Sequence, residues 1–102
     1  MSRKVYTIEE IKQILKKILD NKPVYSVILF GSYAKNEATE NSDLDFLIDT
    51  KNTLRGFNFL ELAYIIEQSF QKDVDVFEKY EIIENSRIDE EIKKNGVLVY
   101  EK

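Results

Sequence analysis

An almost unbroken run of apolar and β-branched residues, 24–30, ends abruptly at Gly31-Ser32. Such a run, without alternation and shorter than a typical helix, predicts a β-strand that is covered on both faces. The 102 residues of the chain have room for one hydrophobic core. We therefore expect a single domain, residues 1–102, in which this strand is a central element.

The other elements follow from hydrophobic periodicity and from turn and capping residues. The predicted helices cover about 8–20, about 58–70 and a C-terminal segment from Ile82 to Asn95, with a further short helix at 33–37. The predicted strands cover 24–30, 43–49, 73–77 and, as a short strand or an extended tail, 97–100. Thr7 and Glu10 have the spacing of a capping box at the start of the first helix.

The composition excludes several kinds of chemistry. The chain has no Cys and no His, which excludes disulfides, zinc sites built from these residues, thiol nucleophiles and a Ser-His-Asp triad.

A net charge of −4 argues against nucleic acid as a stable partner. No apolar run approaches the length of a membrane span, and residues 1–6 lack the apolar region of a signal peptide. We therefore expect a cytoplasmic protein.

Acidic side chains occupy one face of two predicted strands. Asp43 and Asp45 are two residues apart, so both project from the same side of their strand, and Asp75 repeats the pattern in the third strand. If these strands pair, the three carboxylates converge. Because like charges that close repel each other, a hard divalent cation such as Mg²⁺ is expected among them. Asp73 competes with Asp75 for the third position, and Asp49 is predicted to be solvated.

The Gly31-Ser32 bend favours a functional role for these carboxylates. A lone Asp-x-Asp is more often a polar turn that opens a strand. Here, ten residues separate Ser32 from Asp43. Glycine lets a phosphate approach the backbone, and a serine hydroxyl can donate to phosphate oxygens. The spacing therefore predicts a phosphate site next to a metal site, as a nucleoside triphosphate requires.

These motifs resemble those of a known family. The segments Gly31–Ala38 and Ser42–Ile48 resemble the signature of the DNA polymerase β nucleotidyltransferase superfamily, and the ending Glu91–Tyr100 resembles that of the minimal nucleotidyltransferases. The resemblance covers about residues 24–100. It implies an α+β fold: a short mixed β-sheet, palm-like, with helices packed on one face and the active site on the other.

The resemblance also implies the roles of individual residues. We expect catalytic and metal-binding roles for Asp43, Asp45 and Asp75. The expected metal is two Mg²⁺ ions, for which Mn²⁺ can substitute. The residues expected to bind the nucleotide are Gly31, Ser32, Lys35 and Ser42. The family often has Arg-Gly where this chain has Lys35-Asn36. Lysine keeps the positive charge but lacks the bidentate fork of arginine.

Proteins that this chain resembles are the antitoxins of toxin–antitoxin pairs. The implied reaction transfers AMP from Mg-ATP to a tyrosine hydroxyl of a small helical HEPN-family toxin. The resemblance is compatible with a homodimer or with a heterotetramer that includes the partner. Two alternatives stay open: an antitoxin that neutralises its partner by binding alone, and an adenylyltransferase that acts on a small molecule.

Overall fold

Four strands form one mixed sheet in the order β3-β2-β1-β4. A computed structural model describes residues 4–102 of the chain. The strands are β1, Ser26–Phe30; β2, Leu44–Asp49; β3, Val74–Glu78; and β4, Val97–Glu101. The central strand β1 pairs antiparallel with both β2 and β4, whereas β2 and β3 are parallel. The mixed sheet that the family resemblance implies is confirmed.

Three α-helices accompany the sheet: α1, Ile8–Leu19; α2, Phe57–Phe70; and α3, Arg87–Asn95. The start of α1 has the predicted capping box. The Thr7 hydroxyl accepts a hydrogen bond from the Glu10 amide at 3.1 Å, and the Glu10 carboxylate accepts one from the Thr7 amide at 2.9 Å. Ser86 caps α3 in the same way, by accepting from the Asp89 amide. These bonds satisfy amide groups that have no partner inside the helix.

The hydrophobic core lies between one face of the sheet and the helices α1 and α2. It contains side chains from the helices α1 and α2 and from the two central strands β1 and β2: Ile11, Leu15, Leu19, Val27, Leu29, Leu44, Phe46, Ile48, Leu62, Ile66 and Phe70. Phe46 of β2 and Phe70 of α2 pack with ring centroids 5.7 Å apart. Since alternate residues of a strand face opposite ways, Asp45 and Leu47 point to the other face. The helix α3 reaches that other face, where Gly96 lies against Ile28.

Two predicted helices differ from the structure. The predicted short helix at 33–37 is not formed: residues 31–36 form consecutive turns, with the amides of Ala34 and Lys35 both donating to the Gly31 carbonyl. The C-terminal helix begins at Arg87 rather than at Ile82. A short 3₁₀ turn occupies Lys79–Glu81, and Asn85 has a φ of 65°. A left-handed residue cannot continue a right-handed helix, so the helix starts only after it.

The described residues contain no helix that is long and apolar enough to cross a membrane. The prediction that the chain has no signal peptide concerns residues 1–6, of which residues 1–3 lie outside the described part.

Replacing Phe46 by alanine tests the packing between sheet and helix. Phe46 is fully buried, so Phe46→Ala should lower the free energy of unfolding by about 3–5 kcal/mol, through lost transfer energy and the cavity that remains. Phe57, which is 88% exposed on α2, is the matched control. Phe57→Ala should change stability by less than about 0.5 kcal/mol. Urea unfolding measures both; equal losses would show that the core is misassigned.

Candidate active site

Asp45 and Asp75 lie side by side on neighbouring strands. In the parallel pairing of β2 with β3, Asp45 is the direct partner of Asp75. The flanking residues Leu44 and Phe46 are buried in the core, so the carboxylate of Asp45 projects from the opposite face. The Asp75 carboxyl is within hydrogen-bonding reach of Asp45. Asp75, rather than its rival Asp73, is therefore the acid from β3 that meets Asp45.

The environment of Asp45 disfavours its charged form. Burial, followed by the charge and hydrogen bonding of Asp75, raises the pKa of Asp45 from 3.8 to about 6. The charges of Asp43 and Glu91 contribute in the same direction. A pair of acids held in this way is a typical binding site for a cation, because a positive charge removes the repulsion.

The glycine bend lies directly against Asp45. Gly31 follows β1 with a φ of 75°, which is a left-handed conformation that favours glycine. A Cβ at this position would stand 2.1 Å from Oδ2 of Asp45, far inside van der Waals contact. Glycine is therefore required twice at this point, by the backbone conformation and by the space that the carboxylate occupies. The bend and the acids thus belong to one site.

The other predicted site residues have different surroundings. Asp43 is exposed just before β2 and acts on Asp45 through its charge. Ser32 is half-buried in the bend, and its carbonyl accepts from the Glu37 amide. The Ser42 hydroxyl accepts from the Thr39 amide at 2.8 Å, so it closes its own turn. Lys35 places its ammonium 3.8 Å from Glu91.

The donor set suits a hard cation. Carboxylate oxygens are the ligands that Mg²⁺ prefers, and Asp45 and Asp75 supply them from adjacent strands. Within residues 4–102, no three acidic side chains converge closely enough to form a preformed metal site. Asp43 and a substrate phosphate are the groups expected to complete the coordination, as is usual for Mg²⁺ sites that bind nucleotides.

Sequence patterns did not reveal two residues that shape the site. The charge of Glu91, on α3, acts on Asp45, and no local spacing links these two positions. Lys72 is buried, and its ammonium donates to the Glu40 carbonyl at 3.0 Å, which ties the start of β3 to the turn before Asp43. A lysine two residues before a strand gives no signal of this role, since most lysines are exposed.

The prediction that Asp49 is solvated is wrong. Its side chain is only 16% exposed and lies 3.7 Å from the Lys79 ammonium. The Asp49 carboxylate also accepts a hydrogen bond from the Lys51 amide at 2.8 Å. Asp49 therefore stabilises the end of β2 and the turn that follows it. This role is separate from the Asp45–Asp75 pair at the other end of the strand.

The mixed sheet with paired aspartates beside a glycine bend is the arrangement expected of a nucleotidyltransferase domain. The family model described as "Nucleotidyltransferase domain" matches residues 8–99. The chain belongs to this family. The resemblance that its motifs carry and the prediction of a nucleotidyltransferase are confirmed.

Known relatives agree with this assignment. A protein of Methanocaldococcus jannaschii, named as a candidate protein adenylyltransferase, is 40% identical over 97 residues, covering 91% of this chain and 98% of the relative. The protein adenylyltransferase MntA of Thermococcus cleftensis is 35% identical over 77 residues, covering 72% of this chain and 78% of the relative.

Solved structures show the same fold. A toxin–antitoxin crystal structure with AMP-PNP aligns with a TM-score of 0.72 at 21% identity, covering 95% of this chain and 75% of that chain. A complex of the tri-AMPylated HEPN toxin of Shewanella oneidensis with an MNT antitoxin aligns with a TM-score of 0.69 at 21% identity. The alignment covers 94% of this chain and 74% of that chain.

Gly31→Ala tests the contact between the bend and Asp45. The chain offers a matched control in Gly56, which has a φ of 56° but nothing within 4 Å of an added Cβ. Both substitutions place a Cβ at a positive φ and should therefore destabilise the fold. Only Gly31→Ala should also displace Asp45 and weaken Mn²⁺ binding, measured by calorimetry, by about tenfold or more. Equal Mn²⁺ affinity in the two variants would refute the contact.

Asp45→Asn tests whether the charged form of Asp45 destabilises the folded chain. The native pKa of about 6 exceeds the unfolded value of 3.8, so the folded state binds more protons between these pH values. Stability is therefore lost as the pH rises through this window. An uncharged amide at this position avoids the loss, so Asp45→Asn should be more stable than the parent at about pH 7.5. The gain should be about 1–2 kcal/mol, because solvent still screens the site. At about pH 4 the two should converge.

The control for this prediction is Asp73→Asn, since Asp73 is exposed at the edge of β3 and is not among the groups that shift Asp45. Urea unfolding without divalent ions, at both pH values, makes the comparison. A destabilised Asp45→Asn at the higher pH would show that the native carboxylate has a favourable partner.

Proposed function

We propose that this chain transfers AMP from Mg-ATP to a tyrosine hydroxyl of a small helical HEPN-family toxin, and so acts as its antitoxin. The observation that carries this proposal is the Asp45–Asp75 pair with Gly31 against it. It is supported by relatives that are named protein adenylyltransferases and by a fold shared with an antitoxin bound to an AMPylated HEPN toxin.

The site residues have distinct roles in the proposed reaction. Asp43, Asp45 and Asp75 would hold divalent ions, which when bound neutralise the triphosphate and favour the ionised form of the acceptor hydroxyl. The bend at Gly31 and Ser32 brings backbone amides and a hydroxyl to the phosphates, and Lys35 adds a positive charge. These groups orient the leaving pyrophosphate.

The chemical step balances without any further reactant. The acceptor oxygen forms a bond to the α-phosphorus, and the bond from that phosphorus to the oxygen of the β-phosphate breaks. Asp75 is proposed to accept the hydroxyl proton, and pyrophosphate leaves with the electron pair. The products are an adenylylated acceptor and pyrophosphate.

The acceptor is proposed to come from another molecule. Asp43 and Asp75 are exposed on the face of the sheet away from α1 and α2, so a second protein can approach them. The acceptor tyrosine of the partner would enter from this side. The proposed setting is the cytoplasm, where ATP is available, and the proposed assembly is a homodimer or a heterotetramer with the partner.

The test is incubation of the chain with α-labelled ATP, Mg²⁺ and the product of a neighbouring HEPN gene. The label should appear on the HEPN protein, and chelation of the metal should prevent it. Asp45→Asn and Asp75→Asn should each reduce the transfer by about 10²-fold or more while leaving the complex intact. Asp73→Asn is the control and should retain transfer.

The two alternatives give different results in the same experiment. If Asp45→Asn still neutralises the toxin in cells and no label is transferred, the chain acts by binding alone. If label appears only on a small molecule, the chain is a small-molecule adenylyltransferase. Either result would contradict the proposed protein substrate.

A further inference from the structure

Lys35 and Glu91 come from distant parts of the chain and meet at the edge of the site. Lys35 lies in the turns that follow the glycine bend, and Glu91 lies in the middle of α3. The Lys35 ammonium is 3.8 Å from a carboxylate oxygen of Glu91 and 3.9 Å from one of Glu37. Both contacts are longer than a hydrogen bond, so they orient the ammonium without occupying its donors.

The charge of Glu91 acts on Asp45 as well as on Lys35. Its charge contributes to the raised pKa of Asp45, which places it near the carboxylates of the site. Its side chain is 33% exposed, whereas the neighbouring Glu90 is exposed and is not among the groups that act on Asp45. The helix α3 therefore directs one of its two adjacent glutamates toward the site.

Contacts at both ends of α3 fix the position of Glu91. The Ser86 cap sets the first turn of α3, and Gly96 at its end lies against Ile28 of β1. A Cβ at Gly96 would come within 2.8 Å of the Ile28 side chain, so the close contact of this helix end with the sheet requires glycine. Glu91 is thus carried by an element that is held at both ends.

We propose that Glu91 is a positioning residue for the triphosphate: it holds the Lys35 ammonium at the edge of the site, next to the Gly31 bend, ready for the phosphates of the nucleotide. This inference rests on the proposed function and names a residue that the active-site motifs do not contain. The role is positional, because Glu91 is itself negative and acts on the nucleotide only through Lys35.

The need for such a residue follows from the chemistry of lysine. Lysine has a long flexible side chain whose ammonium is a point charge, so it loses much conformational freedom when it binds a phosphate. Glu91 restricts this freedom before the nucleotide arrives. The restraint is weak, as expected for a partly exposed ion pair, so the Lys35 ammonium can leave Glu91 and bind the phosphates.

Binding of a fluorescent ATP analogue with Mg²⁺ to the full chain tests this proposal. Glu91→Gln should weaken binding by about two- to fivefold, the range of an exposed ion pair. This direction is informative, because removing a negative charge by itself should strengthen the binding of an anionic nucleotide. Glu90→Gln, with the same change in charge on the same helix, is the control and should bind equally or more tightly.

A double-mutant cycle with Lys35→Met identifies the path of the effect. In the Lys35→Met background, Glu91→Gln should no longer weaken binding. Glu91→Asp should restore part of the affinity in the parent background. In the transfer assay, Glu91→Gln should raise KM for ATP with little change in kcat.

The proposal is overturned if Glu91→Gln binds as tightly as the parent, or if the same weakening persists without Lys35. Thermal unfolding of each variant separates these results from a loss of α3. If the unsubstituted chain does not bind Mg-ATP, both the proposed function and this inference fail. Normal binding without coupling between the two residues overturns the inference alone.

Discussion

The repulsion between Asp45 and Asp75 is the constraint around which the site is built. Two carboxylates on directly paired residues of parallel strands destabilise the folded chain when both are charged. The fold tolerates them because the opposite face of the sheet is a well-packed core, in which the flanking Leu44 and Phe46 are fully buried. The stability lost at the acids is thus offset by apolar burial on the other side of the same strand.

Two glycines allow close approaches of the backbone around the site. Gly31 leaves space for the carboxylate of Asp45, and Gly96 lets the end of α3 approach Ile28. Both bring backbone close to another part of the molecule, one beside the acids and one at the end of the helix that carries Glu91. The site is therefore assembled from three separate segments: the bend after β1, the strand pair β2–β3, and α3.

Periodicity predicted most of the secondary structure, because the hydrophobic pattern is strong. The first helix and the strands differ from prediction by no more than two residues at their ends, and the capping box at Thr7 is present. The prediction failed where local conformation overrides periodicity. Apolar residues at 82 and 83 suggested a longer C-terminal helix, but Asn85 adopts a left-handed conformation and Ser86 begins the helix later. Likewise, the turns after Gly31 resemble a helix in sequence but do not continue as one.

The amino-acid sequence by itself determined the residue types of the site and their shared strand face, because a strand has a period of two and a glycine-serine bend is recognisable locally. Only the tertiary structure decided which acid from the third strand meets Asp45, since that depends on the register between β2 and β3. It also brought Glu91 to Lys35 and placed the largely covered Asp49 beside Lys79. These contacts join residues far apart in the chain, and their geometry is set by how helices and strands pack, which no local pattern encodes.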